Sequence, residues 1–161
     1  VILPEDFEIE GLNDSKKLSE KKRDLLFDEI IEHALAYSIQ AVDHKTIDEI
    51  NILEATMLAM KRAVEKLSVS PALLLIDGNR AKGFDTPVIT VIKGDAKVPQ
   101  IAAASILAKV ERDRYCLEMA KRHPEYAFEQ HKGYPTKLHY ERIAEHGICP
   151  EHRRSFLKNI L

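Results

Sequence analysis

No apolar run in this 161-residue chain approaches the roughly 20 residues that a membrane span requires, so no membrane helix is expected. A basic start followed by an apolar stretch and a small-residue cleavage site is also missing, and no secretory signal is read. Cysteine is scarce. Cys116 and Cys149 stand far apart and form no metal-spaced pair, so the expectation is two reduced thiols in a cytoplasmic protein. No glycine-rich G-x-x-x-x-G-K-[ST] loop occurs, which argues against a P-loop ATPase. Internal repeats, low-complexity tracts and Gly/Ser linkers are absent, and one domain over residues 1–161 is the reading. The net charge of −2 rules out a polycation. The first residue is Val1 rather than Met, as in a fragment or a processed form.

What is present is an ordinary globular composition, 45% apolar and 31% charged, with enough chain to bury a core. The charge is unevenly spread. Residues 131–161 hold six Lys/Arg against three Asp/Glu, a local +3, while the other 130 residues carry −5. A basic end on an acidic chain suggests an anion-binding face; chance clustering on a solvated surface explains the same count.

The periodicity predicts alternating strands and helices, hence an α/β domain. Val1 to Leu3 resemble a strand end. Ser19 caps a helix with the stripe Leu26, Ile30 and Ala34. Tyr37 to Val42 alternates as a strand. Thr46 and Glu49 form a capping box for a helix carrying Ile50, Leu53, Met57, Met60, Val64 and Leu67 over about six turns. Ala72 to Ile76 reads as a strand buried on both faces, and Val88 to Ile92 as a second β-branched strand. Pro99 suits the first turn of a helix running from Ile101 to about Lys121. Thr136 caps a last helix, stopped at Gly147.

Asp77 follows the first buried strand, and Asp95 comes 18 residues later, after the second. Ligands of open α/β sheets collect outside strand ends. Two carboxylates delivered there repel each other unless a divalent cation lies between them, and hard oxygens suit Mg²⁺ or Mn²⁺. Such ions activate water for attack on a phosphodiester. An aspartyl phosphatase would want a second Asp two residues after the first, where Asn79 stands; a turn-forming Asp before Gly78 is the plain alternative. Asp113, between Arg112 and Arg114 in a helix, reads as a surface ion pair. His131 to Thr136 places Lys132 and Tyr134 in a bent loop at a helix start, suited to phosphate and to stacking on a sugar or base, or else to an ordinary turn. His152-Arg153-Arg154 adds positive charge. The spacings of the four tail histidines (131, 139, 146, 152) fit no usual zinc pattern. Asn13 to Lys17 could grip backbone phosphates, or be a solvated lysine pair.

Together these segments resemble bacterial ribonuclease HII. The resemblance rests on Gly11 to Ser19, Asn51 to Met57, Leu75 to Asn79, Lys93 to Asp95, Ala102 to Val110, His131 to Thr136 and His152 to Phe156, in family order over nearly the whole chain. It implies a ribonuclease-H-like fold: a central mixed sheet flanked by helices, with a helical C-terminal part. It implies hydrolysis of the RNA strand of RNA–DNA hybrids and incision 5′ of single ribonucleotides in duplex DNA. The products would carry 3′-hydroxyl and 5′-phosphate ends. The family uses four carboxylates with Mg²⁺ or Mn²⁺, and Asp77 and Asp95 match the third and fourth. Tyr134 matches the tyrosine that packs against the deoxyribose next to the ribonucleotide. Lys16 and Lys132 fall in substrate-side loops. A monomer with no membrane partner is expected.

One departure is clear. The family's first strand bears an Asp-Glu pair, followed by Gly-Arg-Gly, whose backbone reads the ribose 2′-hydroxyl. No Asp-Glu pair followed by Gly-Arg-Gly occurs here. The chain is therefore expected to be N-terminally truncated, short of its first strand, and inactive alone. Two other functional classes remain open: a nucleic-acid-binding module without catalysis, and a generic metal-dependent phosphatase.

Overall fold

The computed structural model describes residues 1–6, 9–12 and 18–158. Lys16 and the lysine loop around it lie outside these residues.

Helix α1 (Glu20–His33) starts where the Ser19 hydroxyl accepts from the Lys22 N–H, as its sequence predicts. Leu26 and Ile30 on its inner stripe are completely buried. Helix α2 (His44–Glu65) departs from the predicted single helix in two ways. Its cap is Asp43, whose carboxylate accepts from the Thr46 N–H at 2.8 Å, so Thr46 sits inside the first turn. It also breaks at Asn51 (φ 69°, ψ 166°), where the side-chain oxygen accepts from the N–H groups of Leu53 (3.0 Å) and Glu54 (3.1 Å). Asn51 is thus an N-cap within the helix, and it turns the apolar stripe. Ala55 and Met57 are buried, while Ile52 and Leu53 stay exposed. Replacing Asn51 with Ala is expected to cost about 1 kcal/mol in a denaturant melt, because two N–H groups lose their acceptor.

Strands β1 (Leu74–Asp77) and β2 (Val88–Val91) pair in parallel, with Leu74 opposite Val88 and Asp77 opposite Val91. Burial along β1 alternates instead of covering both faces: Leu74 and Ile76 are buried, Leu75 is exposed. The reason is the two-residue period of a strand combined with one-sided cover, since α3 is the helix that packs on β1 among the described residues. The predicted strand at Tyr37 to Val42 does not form. Among the described residues the chain there makes one isolated antiparallel bridge, Ile2 to Ala36, and a strand exists only where a partner supplies the ladder.

Helix α3 (Pro99–Arg122) begins with Pro99 in its first turn. Its small-residue stretch does what small side chains allow. Ala103 is fully buried, and together with Ile106, Leu107 and Val110 it packs against Leu26, Phe27 and Ile30 of α1. Beyond α3 come the short helix α4 (Phe128–His131) and α5 (Lys137–His146), capped by Thr136 and closed at Gly147 (φ 77°). A second core of Cys116, Met119, Tyr126, Phe128, Ile143, Cys149 and Leu157 joins these elements to the far half of α3.

Candidate functional site

Asp77 is the last residue of β1. Gly78, at φ +105°, turns the chain away, and its N–H donates to Val91 O at 3.0 Å, so the two strand ends stay in step. Past β2 the chain passes through Lys93 in the left-handed region (φ 56°) into a short 3₁₀ turn, Gly94–Ala96. Gly94 allows a close approach there: a Cβ would come within 2.6 Å of Ile101 Cδ1 at the start of α3, and that side chain would have to shift. The Gly94 N–H donates to Asp77 Oδ1 at 2.8 Å. That bond fastens the carboxylate of one strand end to the residue before Asp95 on the other. Asp95 is buried, 8% exposed, and Asp77 is exposed. The two aspartates expected at neighbouring strand ends therefore share one edge of the sheet, at the N-terminal end of α3.

Asp113 lies elsewhere. It pairs with Lys109 one turn back and faces Arg23 of α1 at 3.9 Å. The ion-pair reading is right but its location is not: Asp113 is 7% exposed, between α1 and α3 and not on the surface.

Tyr134 and Lys132 sit on the loop between α4 and α5. Lys132 (φ 51°) and Gly133 (φ 78°) are consecutive left-handed residues, and three histidines hold the bend. His131 Nε2 lies 2.8 Å from the Tyr126 carbonyl, and His131 Nδ1 accepts from the Gly133 N–H at 3.1 Å. The Cys149 N–H donates to His152 Nδ1 at 2.9 Å, so His152 carries its proton on Nε2. That proton faces His139 Nε2 at 3.1 Å, which leaves the His139 Nδ1–H to donate to the Tyr134 carbonyl at 3.0 Å. Burial of the His139 ring is the main cause that pushes its pKa down to about 4, assisted by His131, His152 and Arg153. The relay is accordingly neutral at pH 7. His152 is buried and belongs to this relay, so it adds no surface charge, contrary to the sequence reading.

The Tyr134 side chain stands out from this frame, 60% exposed. Beside it runs a groove of about 480 Å³ whose lining includes Arg112, Tyr134, His139, Tyr140, Arg153 and Phe156. The Arg153 guanidinium lies 4.0 Å above the Phe156 ring, and Arg112 Nη2 donates to Lys132 O at 3.2 Å. Asp48, from α2, holds the turn between Arg153 and Phe156 by accepting from the N–H groups of Arg154 (2.8 Å) and Ser155 (2.9 Å). Burial pushes the Asp48 carboxyl up, but the Ser155 hydroxyl and these N–H groups outweigh it and hold the pKa below the ordinary carboxylate value. Sequence reasoning missed Arg112, His139 and Asp48. The Asp48 clamp joins residues more than 100 positions apart, and no local pattern announces it.

A profile of the ribonuclease HII family matches residues 4–159. The chain belongs to the ribonuclease HII family. It is 56% identical to ribonuclease HII of Shewanella pealeana over 97% of this chain and 77% of that protein. It is 59% identical to the Endomicrobium trichonymphae enzyme, over 97% of this chain and 75% of that protein. In three dimensions it resembles ribonuclease H2 of Pyrococcus horikoshii (TM-score 0.75, 27% identity, 90% of this chain and 76% of that one). It also resembles the ribonuclease HII solved in complex with PCNA from Archaeoglobus fulgidus (TM-score 0.66, 24% identity, 94% and 79%). The fold of this ribonuclease HII chain is thus ribonuclease-H-like. Among the described residues it displays the parallel pair, one antiparallel bridge and the helical C-terminal part. No helix among them is long and apolar enough to cross a membrane.

Proposed function

We propose that this ribonuclease HII domain, residues 1–161, serves endonucleolytic hydrolysis of the RNA strand of RNA–DNA hybrids. The proposal extends to incision 5′ of single ribonucleotides in duplex DNA, with 3′-hydroxyl and 5′-phosphate products. It acts as a cytoplasmic monomer. The observation that carries the reading is the Gly94–Asp77 hydrogen bond, which joins the two carboxylate-bearing strand ends within a chain of this family.

Asp77 and Asp95 would hold Mg²⁺ or Mn²⁺. The donor set fits: hard carboxylate oxygens, one of them fixed by a backbone N–H, at the edge of the sheet. Such an ion, when bound, lowers the pKa of water and offsets charge on the phosphodiester. The chain's own groups do the rest. The Tyr134 ring, held out by the histidine frame, stacks on a sugar or base, while Lys132 and the groove arginines Arg112 and Arg153 draw the backbone phosphates. Lys16 is assigned to the same strand contact. Tyr134→Ala is expected to weaken hybrid binding about tenfold, as read by fluorescence anisotropy, with little change in melting temperature.

The 161 residues hold two of the four carboxylates that the family resemblance implies, and no Gly-Arg-Gly turn. The chain alone is therefore expected to bind hybrid without cutting it. Joining a ribonuclease HII strand with the Asp-Glu pair and Gly-Arg-Gly ahead of Val1 is expected to give ribonucleotide-dependent cleavage. Hydrolysis of small phosphate esters without nucleic-acid cleavage would instead favour the phosphatase reading.

A further inference from the structure

At the other end of α3, three side chains of different chemistry converge. His123 caps the helix; Cys149 and Glu151 come from the loop after α5. The His123 ring nitrogen, the Cys149 sulfur and a Glu151 oxygen all lie within 4.8 Å of one another. His123 Nε2 is 3.0 Å from Glu151 Oε2, and the Cys149 sulfur lies within 4.8 Å of both ligand atoms. Glu151 Oε1 accepts from Arg122 Nη1 at 2.9 Å, and Oε2 is buried against the His123 ring. The other nitrogen of His123 faces Glu125 at 3.7 Å. A carboxylate behind a ligating imidazole is the arrangement that orients histidines on metals. The sulfur also lies 3.0 Å from His152 Nδ1.

The geometry points to a second metal site, formed by His123, Cys149 and Glu151, for a divalent transition ion of the zinc class. Sulfur, imidazole nitrogen and one carboxylate oxygen form a borderline-soft donor set that favours Zn²⁺ over Mg²⁺ or Mn²⁺. Three protein ligands leave a tetrahedral fourth position for water. The separation from Asp77 and Asp95 is large. α3 has 24 residues, hence about 36 Å of helix, with Asp95 before its first turn and His123 after its last. The site needs neither the catalytic assignment nor any additional strand. Occupancy would release the Cys149 thiol proton and fasten the loop that carries His152 to the end of α3. That loop in turn supports His139 and the Tyr134 bend.

The test is titration of the reduced, metal-free 161-residue chain with Co²⁺ and then Zn²⁺, watching thiolate-to-cobalt absorption in the near ultraviolet. One equivalent is expected to produce the band, Zn²⁺ is expected to bleach it, and the Asp77→Asn/Asp95→Asn double variant is expected to behave like the parent. His123 is the most accessible ligand, so His123→Asn leaves the core intact; it is expected to weaken binding at least tenfold. Cys149→Ser is expected to abolish the band. No thiolate band in the parent, or a band equally strong in both His123→Asn and Cys149→Ser, would overturn the assignment.

Discussion

Changing Asp77 or Asp95 to Asn, in the protein completed with the Asp-Glu and Gly-Arg-Gly strand, is expected to lower hybrid cleavage about a thousandfold or more. That is roughly 4 kcal/mol of transition-state stabilisation. Hybrid affinity is expected to change less than threefold. The asymmetry follows from position. The two carboxylates are negative groups at the sheet edge and contribute nothing attractive to a phosphate backbone by themselves, whereas the cationic and aromatic contacts lie in the Tyr134 groove. The two variants are not equivalent structurally. Asp77→Asn retains an oxygen able to accept from the Gly94 N–H, so the strand ends stay joined. Asp95 is buried, and its amide adds hydrogen-bond donors to that interior. A modest fall in melting temperature is expected for Asp95→Asn and almost none for Asp77→Asn. Single-turnover cleavage of a hybrid, with anisotropy on the same duplex, reads both quantities. Unchanged cleavage in either variant would remove that residue from the metal site. Equal loss of binding and cleavage would support a binding role instead.

The parts of this structure legible in the sequence are those governed by neighbours in sequence. The Ser19 and Thr136 caps, Pro99 in the first turn and Gly147 after the last helix each work through residues three or four positions away, and each stands where its pattern predicts. The strand-end positions of Asp77 and Asp95 were legible for the same reason. Their linkage was not, because a hydrogen bond from Gly94 N to Asp77 Oδ1 depends on parallel pairing across 17 residues. Asn51 misled for a local reason: an Asn flanked by apolar residues at helical spacing looks like one more helical position. Only the positive φ reveals that its side chain begins a new helix. Tyr37 to Val42 misled for a non-local one, since alternation records a suitable face and says nothing about a pairing partner. The tail histidines show both limits. Their spacing fits no usual zinc pattern. His131, His139 and His152 instead form the frame of a loop, while His123, outside the tail, meets Cys149 and Glu151 only through the packing of the second core.

Acid is expected to loosen that frame before it loosens the α1–α3 core. His139 has its pKa depressed from an ordinary 6.5 to about 4, with burial as the leading cause. The Tyr134 carbonyl opposes the shift, and the other groups facing the ring reinforce it. The His131 ring stacks at 4.1 Å between centroids, His152 Nε2 is 3.1 Å away, and Arg153 adds a positive charge. A base whose folded pKa is lowered binds fewer protons in the native state than in the unfolded state between the two values. Stability therefore rises with pH through that interval and falls as pH drops from about 6.5 toward 4. Below the folded value the penalty is complete. The shift corresponds to about 2 kcal/mol after allowance for solvent screening. The expected result, for metal-free protein, is a loss of melting temperature as pH falls from 6.5 to 4 that is smaller in His139→Gln, the remainder coming from His152, whose pKa burial also lowers. That variant cannot take up the proton, yet its amide N–H can still donate to the Tyr134 carbonyl. Hydrogen exchange places the effect: protection should fall first in α5 and the Tyr134 loop and persist in α1 around Leu26 and Ile30. The same acid dependence in His139→Gln and its parent would show that the loss arises elsewhere in the chain.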